Sequence, residues 1–225
     1  VTASPGPGGP PPAVDTGPIS VPELRDYHRI NAELVRRLQL GQRYVRLDGV
    51  EGHRLLLFGL RGPWHAVVEL AGNAGPELAA EMDAPGVTVV CRGSAADGAG
   101  RSLVSGTLLI LGRSGVALGY GQIGGLIVAA GDAGARAGLL QRGGDLVLLG
   151  PSGSLSGEGQ LGGRLLFRQA LAGPNPGHGR RSGRLVDIGQ VEAGDGRGPG
   201  PHVDPGLVRL LDAAQDLASR HSSNE

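Results

Sequence analysis

The sequence predicts an all-β fold, a parallel β-helix (solenoid) of about six to seven coils of roughly 19 residues with a flanking helix at each end. Three observations lead there. The 225 residues include 43 Gly and 16 Pro but only six aromatic residues, Tyr27, Tyr44, Phe58, Trp64, Tyr120 and Phe167. The stretch 107–163 divides without a gap into three 19-residue units that carry glycine at the same five places. Each unit opens with a short apolar run. A core without large aromatic side chains must bury many small aliphatic ones in an arrangement that tolerates glycine. Collagen is excluded because the glycines do not fall at every third residue. A hydrophobic fraction of 40%, gathered in ordered runs, argues against a disordered chain.

Residues 1–18, VTASPGPGGPPPAVDTGP, are rich in Pro and Gly and predict an unstructured or polyproline-like tail. Residues 19–65 are expected to cap the solenoid with a helix and strands. Pro22 suits the first turn of a helix over 22–40, Glu23 complements its N-terminal dipole, and Gly41 stops it. Leu24, Tyr27, Ile30, Leu34, Val35 and Leu38 recur at helical spacing as one apolar face, read as a lid over a core end. Arg25, Arg29, Arg36 and Arg37 read as a solvated helix face. Two strand-like runs follow at 43–47 and 54–58.

The repeat itself occupies 66–189. Its clearest units are TLLILGRSGVALGYGQIGG, LIVAAGDAGARAGLLQRGG and DLVLLGPSGSLSGEGQLGG. The registered glycines are Gly112, Gly115, Gly119, Gly124 and Gly125 in the first, and Gly131, Gly134, Gly138, Gly143 and Gly144 in the second. In the third they are Gly150, Gly153, Gly157, Gly162 and Gly163. Looser units lie at 66–86, 87–106 and 164–183, and a short strand is expected at 184–189. Leu108, Ile127, Leu146 and Leu165 would stack in register, followed by Leu109, Val128, Val147 and Leu166, both sets as interior ladders. The glycines fall after the strands, where the backbone must turn with positive φ or approach another backbone closely.

Residues 190–203 read as a linker. Residues 204–225 predict a helix and tail, with Asp204 as N-cap, Pro205 in the first turn and a stripe of Leu207, Leu210, Leu211, Ala214, Leu217 and Ala218. Because a stack exposes unpaired edges at its ends, this helix and the one at 22–40 are expected to cover them. Docking of the C-terminal helix on a partner is the other reading of its stripe.

Catalytic signals are sparse. Cys91 is alone and reads as a small buried apolar residue. His28, His53, His65, His178, His202 and His221 show no metal-ligand spacing. GYGQIGG (119–125) is one instance of the repeat without the βαβ context of a dinucleotide fingerprint. Asp132 and Arg136 read as a surface ion pair. No catalytic, cofactor-binding or metal residue is expected. Twenty-one basic and 21 acidic residues give no field for nucleic acid or an anionic membrane. No apolar run is long enough to span a bilayer, no signal peptide is evident, and the expected compartment is the cytoplasm.

The segment 131–167, GDAGARAGLLQRGGDLVLLGPSGSLSGEGQLGGRLLF, resembles the GXGXG domain at the C-terminus of the glutamate synthase large subunit. It is more similar still to stand-alone versions, such as the third-type subunits of N-methylglutamate synthase and of glutamate synthase-like complexes. LRDYHRINAELVRRL (24–38) resembles the arginine-bearing helix that opens those proteins, so the likeness covers roughly 22–189. One of the subunits of formylmethanofuran dehydrogenase carries a similar domain. The resemblance implies a right-handed β-helix with no catalytic residues of its own. It would lie between a glutaminase-type amidotransferase subunit and a synthase subunit holding FMN and an iron–sulfur cluster, orienting them for ammonia transfer. Departures are the 164–183 coil, which lacks the Gly-Asp-Ala-Gly turn, and Ala137, where relatives often have Cys. Two other functions are compatible with the repeat: a subunit of a formylmethanofuran dehydrogenase-type complex, and a self-assembling solenoid without enzyme partners.

Overall fold

The computed structural model describes residues 17–192 and 205–222. A short strand β1 (Ile19–Ser20) leads into a helical turn α1 (Val21–Leu24) and a helix α2 (Tyr27–Gln39). Strands β2 (Tyr44–His53), β3 (His65–Ala74), β4 (Asp83–Cys91) and β5 (Ser105–Ile110) follow. The strands then shorten: β6 (Leu126–Ala129), β7 (Asp145–Leu148), β8 (Arg164–Phe167) and β9 (Arg184–Asp187). A short helix α3 (Ile188–Glu192) and a longer α4 (Pro205–Ser222) complete the described chain. All nine strands are parallel and lie in chain order in one sheet, so each coil adds one strand beside the last. The fold is a parallel β-solenoid of about seven turns.

The register of the sheet reproduces the period of the sequence. Val89, Leu108, Ile127, Leu146 and Leu165 form one row, each 19 residues from the next. The steps at the ends are looser, with Val45 opposite Val68, Val68 opposite Val89, and Leu165 opposite Leu185. After each strand the chain makes a second row of single bridges through Ala74, Ala95, Ser114, Ala133, Ser152 and Ala172. It then runs through a segment in which alternate residues take positive φ, such as Ala117, Gly119 and Gly121, or Arg136, Gly138 and Leu140. The N–H of Ala117 donates forward to Ala135, that of Gly119 back to Ala99, and that of Gly121 forward to Leu139. Alternating left-handed residues thus aim successive amides at opposite neighbours. Twelve described non-glycine residues have positive φ, and all but Arg25 lie in these segments. Each costs about 1–2 kcal/mol of backbone strain, which the ladder of amide bonds offsets.

The expected interior ladders are only half correct. Leu108, Ile127, Leu146 and Leu165 are buried in the core. Leu109, Val128, Val147 and Leu166 point the other way, because successive strand residues face opposite sides. With Val90 they form an outer apolar row covered by Leu211, Ala214 and Ala218 of α4. So α4 does not cap an end; it straps the outer face of the sheet. Its last turn reaches the level of β4, where Arg92 Nη1 donates to the His221 carbonyl at 2.7 Å. That guanidinium satisfies a carbonyl at the helix C-terminus and complements its dipole.

The N-terminal helix does cover an end. Ile30, Leu34 and Leu38 are buried over the first coil, and Asn31 grips that coil by donating to the Leu55 carbonyl and accepting from the Leu57 N–H. The helix starts later than the 22–40 span, because Arg25 takes a φ of 60° and separates α1 from α2. Asp26 is the N-cap, accepting from the His28 N–H. Of the expected face, Leu24, Tyr27 and Val35 are part-exposed. Of the expected solvated arginines, Arg37 is instead buried and paired with Glu33, while Arg36 pairs with the same carboxylate from an exposed position.

The run at 54–58 is a turn rather than a strand, with Leu55 and Leu57 at positive φ. It occupies the place that Glu77 and Ala79 take one coil later, since Leu55 N–H donates to the Pro76 carbonyl and Ala79 N–H to Leu56. The solenoid therefore begins at β2, one coil before residue 66. At the other end the expected strand 184–189 stops at Asp187, and 188–192 is helical, replacing the end of that strand and the first residues of the 190–203 linker. The rest of the linker, the Asp204 cap, most of the N-terminal tail, and the side chain of Leu207 lie outside the described residues.

Candidate functional site

The fifteen registered glycines divide into two mechanical classes. Gly119, Gly138 and Gly157 have φ of 66°, 72° and 74°, the left-handed region where an L-residue is strained. Gly125, Gly144 and Gly163 share that sign. Gly124, Gly143 and Gly162 do not; a Cβ there would strike the carbonyl oxygens of Val104, Ile123 and Arg142 in the preceding coil. The rows of Gly112, Gly131 and Gly150 and of Gly115, Gly134 and Gly153 are similarly closed by backbone or side chain of the coil below. Glycine is thus required by turning in some rows and by coil-to-coil approach in the rest.

One buried row is missing from the sequence-based expectations. Gln122, Gln141 and Gln160 are fully buried, one per coil. Gln141 Nε2 donates to Gln122 Oε1 at 3.2 Å, and Gln160 Nε2 to Gln141 Oε1 at 2.9 Å. Each amide also reaches main-chain carbonyls near its own glycine pair: Gly124 and Gly125 for Gln122, Gly143 and Gly144 for Gln141. Among the described residues Gln160 Oε1 has no partner, nor do the buried hydroxyls of Ser114 and Ser152. The signal was present, since glutamine stands two residues before the first glycine of each of the three Gly-Gly pairs.

The residues with chemical potential are not brought together. Cys91 is buried, its Sγ lies 3.5–3.6 Å from the carbonyls of Gly72, Gly93 and Ser94, and burial pushes its thiol pKa up to about 11. Asp132 and Arg136 do not pair with each other. Asp132 meets Arg113 at 3.4 Å and Arg136 meets Glu158 at 2.9 Å, so both ion pairs run between adjacent coils. His28, His53, His65, His178 and His221 are dispersed, and His202 lies outside the described residues. Among the described residues no group of three or more His, Cys, Asp or Glu is placed to hold a metal ion. No helix among them is long and apolar enough to cross a membrane.

What the molecule offers is surface. Glu69, itself buried beneath two arginines, stands where later coils have the outer apolar row, and its carboxylate receives Arg92 at 2.9 Å and Arg46 at 3.2 Å. Arg92, ahead of Arg46, holds its carboxyl below the usual range. A cleft of about 290 Å³ lies between α2 and the first coil, with Leu34, Val35, Phe58, Leu60 and Trp64 in its walls. Tyr120, Ile123, Leu140 and Leu161 are exposed on the turn segments of successive coils. The last coil carries exposed His178, Arg180 and Arg181. Comparison with family models, with curated proteins and with solved structures finds no match.

Proposed function

We propose that this chain is a non-catalytic structural subunit of a glutamate synthase-like complex. It would hold a glutaminase-type amidotransferase subunit and an FMN-binding synthase subunit in the orientation in which ammonia passes between them. The observation that carries this reading is the five-glycine register of 107–163, together with the overlapping segment 131–167 that resembles the GXGXG domain. A stack of coils locked by backbone ladders and a buried amide row suits a part that must keep two enzymes at fixed separation. FMN and the iron–sulfur cluster belong in the partner. This chain has one cysteine, buried against three carbonyls, whereas a cluster needs a set of thiolates.

The test is co-expression with an amidotransferase and an FMN-binding subunit encoded beside it. The expected result is a stable three-part complex. Omitting this chain should leave glutamine hydrolysis and ammonia-dependent synthesis intact while glutamine-dependent synthesis falls at least tenfold. Failure of the chain to join those enzymes overturns the reading. Co-purification with molybdopterin-binding subunits would point to the formylmethanofuran dehydrogenase-type complex, and large homopolymers to a self-assembling solenoid.

A further inference from the structure

The two ends of the stack are finished differently. α2 buries Ile30, Leu34 and Leu38 over the first coil. At the other end β9 is the last strand among the described residues, and α3 turns outward to join the cluster under α4. The Arg184 N–H donates to the Gly163 carbonyl, so parallel alternation leaves the N–H and C=O of Leu185 facing away from the sheet. Ala172, Pro176 and Leu185 continue the interior rows but are only partly buried, whereas Ser152, Ser156 and Leu165 one layer below are buried.

The glutamine row also stops short of this end. Gln122 and Gln141 each turn Oε1 toward the following coil and accept from its glutamine. Gln160 Oε1 is buried without a partner among the described residues. Arg180 takes the next place in the row, yet it is exposed and its Nη1 donates to the Gly183 carbonyl at 2.8 Å. Arg180 and Arg181 are adjacent and exposed here, and the one carboxylate within residues 168–187 is Asp187. Asp187 Oδ1 is occupied by the N–H groups of Gln169 and Gly189, and among the described residues neither Arg180 nor Arg181 forms an ion pair.

We propose that this open end is the docking surface for an acidic polypeptide segment that adds a strand to β9 and sets its carboxylates against Arg180 and Arg181. Free backbone groups of an edge strand select a polypeptide, and the arginines select acidic side chains. A second copy of this chain would bring like charges face to face. The docking surface deepens the scaffold reading above and rests on it only in requiring a partner.

The probe is a fluorescein-labelled ten-residue peptide of alternating Val and Glu, titrated against the full chain. Controls are the Val/Lys counterpart and a ten-nucleotide oligo-dT. The acidic peptide is expected to bind, to slow exchange of the Leu185 amide, and to weaken at least tenfold between about 50 and 300 mM NaCl. R180E/R181E should weaken it at least tenfold, and R113E/R136E on other coils less than twofold, with both folds checked by circular dichroism. Absence of binding, equal binding by R180E/R181E, or protection elsewhere overturns the proposal. So does oligo-dT binding as tightly, or self-association that protects Leu185. Peptide binding by a chain that joins no amidotransferase complex would leave this inference standing and remove only the function proposed above.

Discussion

Gln160 Nε2 donates to Gln141 Oε1 at 2.9 Å, across 19 residues of sequence and one layer of the stack. Truncating Gln141 breaks two rungs at once and strips side-chain donors from the Gly143 and Gly144 carbonyls. Q141A is expected to lose about 3 kcal/mol of stability, from a cavity plus unpaired buried polar groups. Q141L should lose less, because Leu103 already fills the equivalent place in the third coil. Urea denaturation of the three proteins checks the order.

The two glycine classes predict different penalties. Gly143 has no positive φ, but its Cβ would strike the Ile123 carbonyl, so G143A is expected to cost about 3 kcal/mol. Gly121 has a φ of 63° and open space, with Ser102 Oγ 3.6 Å away. G121A should cost only about 1 kcal/mol, the strain of one left-handed residue. Thermal melts of the pair separate clash from strain.

The strap can be loosened without dismantling the stack. Leu211 is buried against the outer row, and an aspartate there would leave a charge without a partner. L211D is expected to release α4, raise the fluorescence of a hydrophobic dye, and expose amides 205–222 to exchange. The β5–β8 amides should stay protected. Loss of protection throughout would show that strap and sheet unfold as one.

Acid weakens the N-terminal lid through Glu33. Hydrogen bonding from Arg36, with Arg37 adding to it against the penalty of desolvation, pulls its carboxyl from 4.5 to about 2. A depressed carboxylate contributes stability that is whole above pH 4.5 and fades as pH falls toward 2. Solvent screening keeps this to about 1 kcal/mol. E33Q should flatten the stability profile across that window, read from equilibrium unfolding between about pH 2 and 6.

Cys91 should be chemically silent. With its thiol raised to about 11, little thiolate forms near neutral pH. The native protein is expected to leave a disulfide-exchange reagent unreacted over hours, and guanidinium-unfolded chain to react within minutes. Rapid modification of the native chain would contradict the burial.

The period was legible because glycine marks it: rows such as Gly119, Gly138 and Gly157 tolerate nothing larger without strain. The two faces of each strand were not. Leu108 and Leu109 are both apolar, and a strand covered on both sides reads as one continuous run. The clue lay two coils earlier, where Glu69 replaces the outer residue one layer beyond the level that α4 reaches. The turn at Leu55 and Leu57 was hidden for the opposite reason, since apolar leucines in a strand-like run stand at left-handed positions held by neighbouring amides. The asymmetry of the ends was invisible too, because it depends on where α3 and α4 go after the last strand.

A helix of 18 residues measures about 27 Å. The strands beneath it, β4 to β9, span five spacings, or about 24 Å. The strap is thus a yardstick for the number of layers. Duplicating one regular unit would leave an uncovered greasy stripe unless the helix gained about three residues in the same event, so growth of the array and growth of its cover must proceed together.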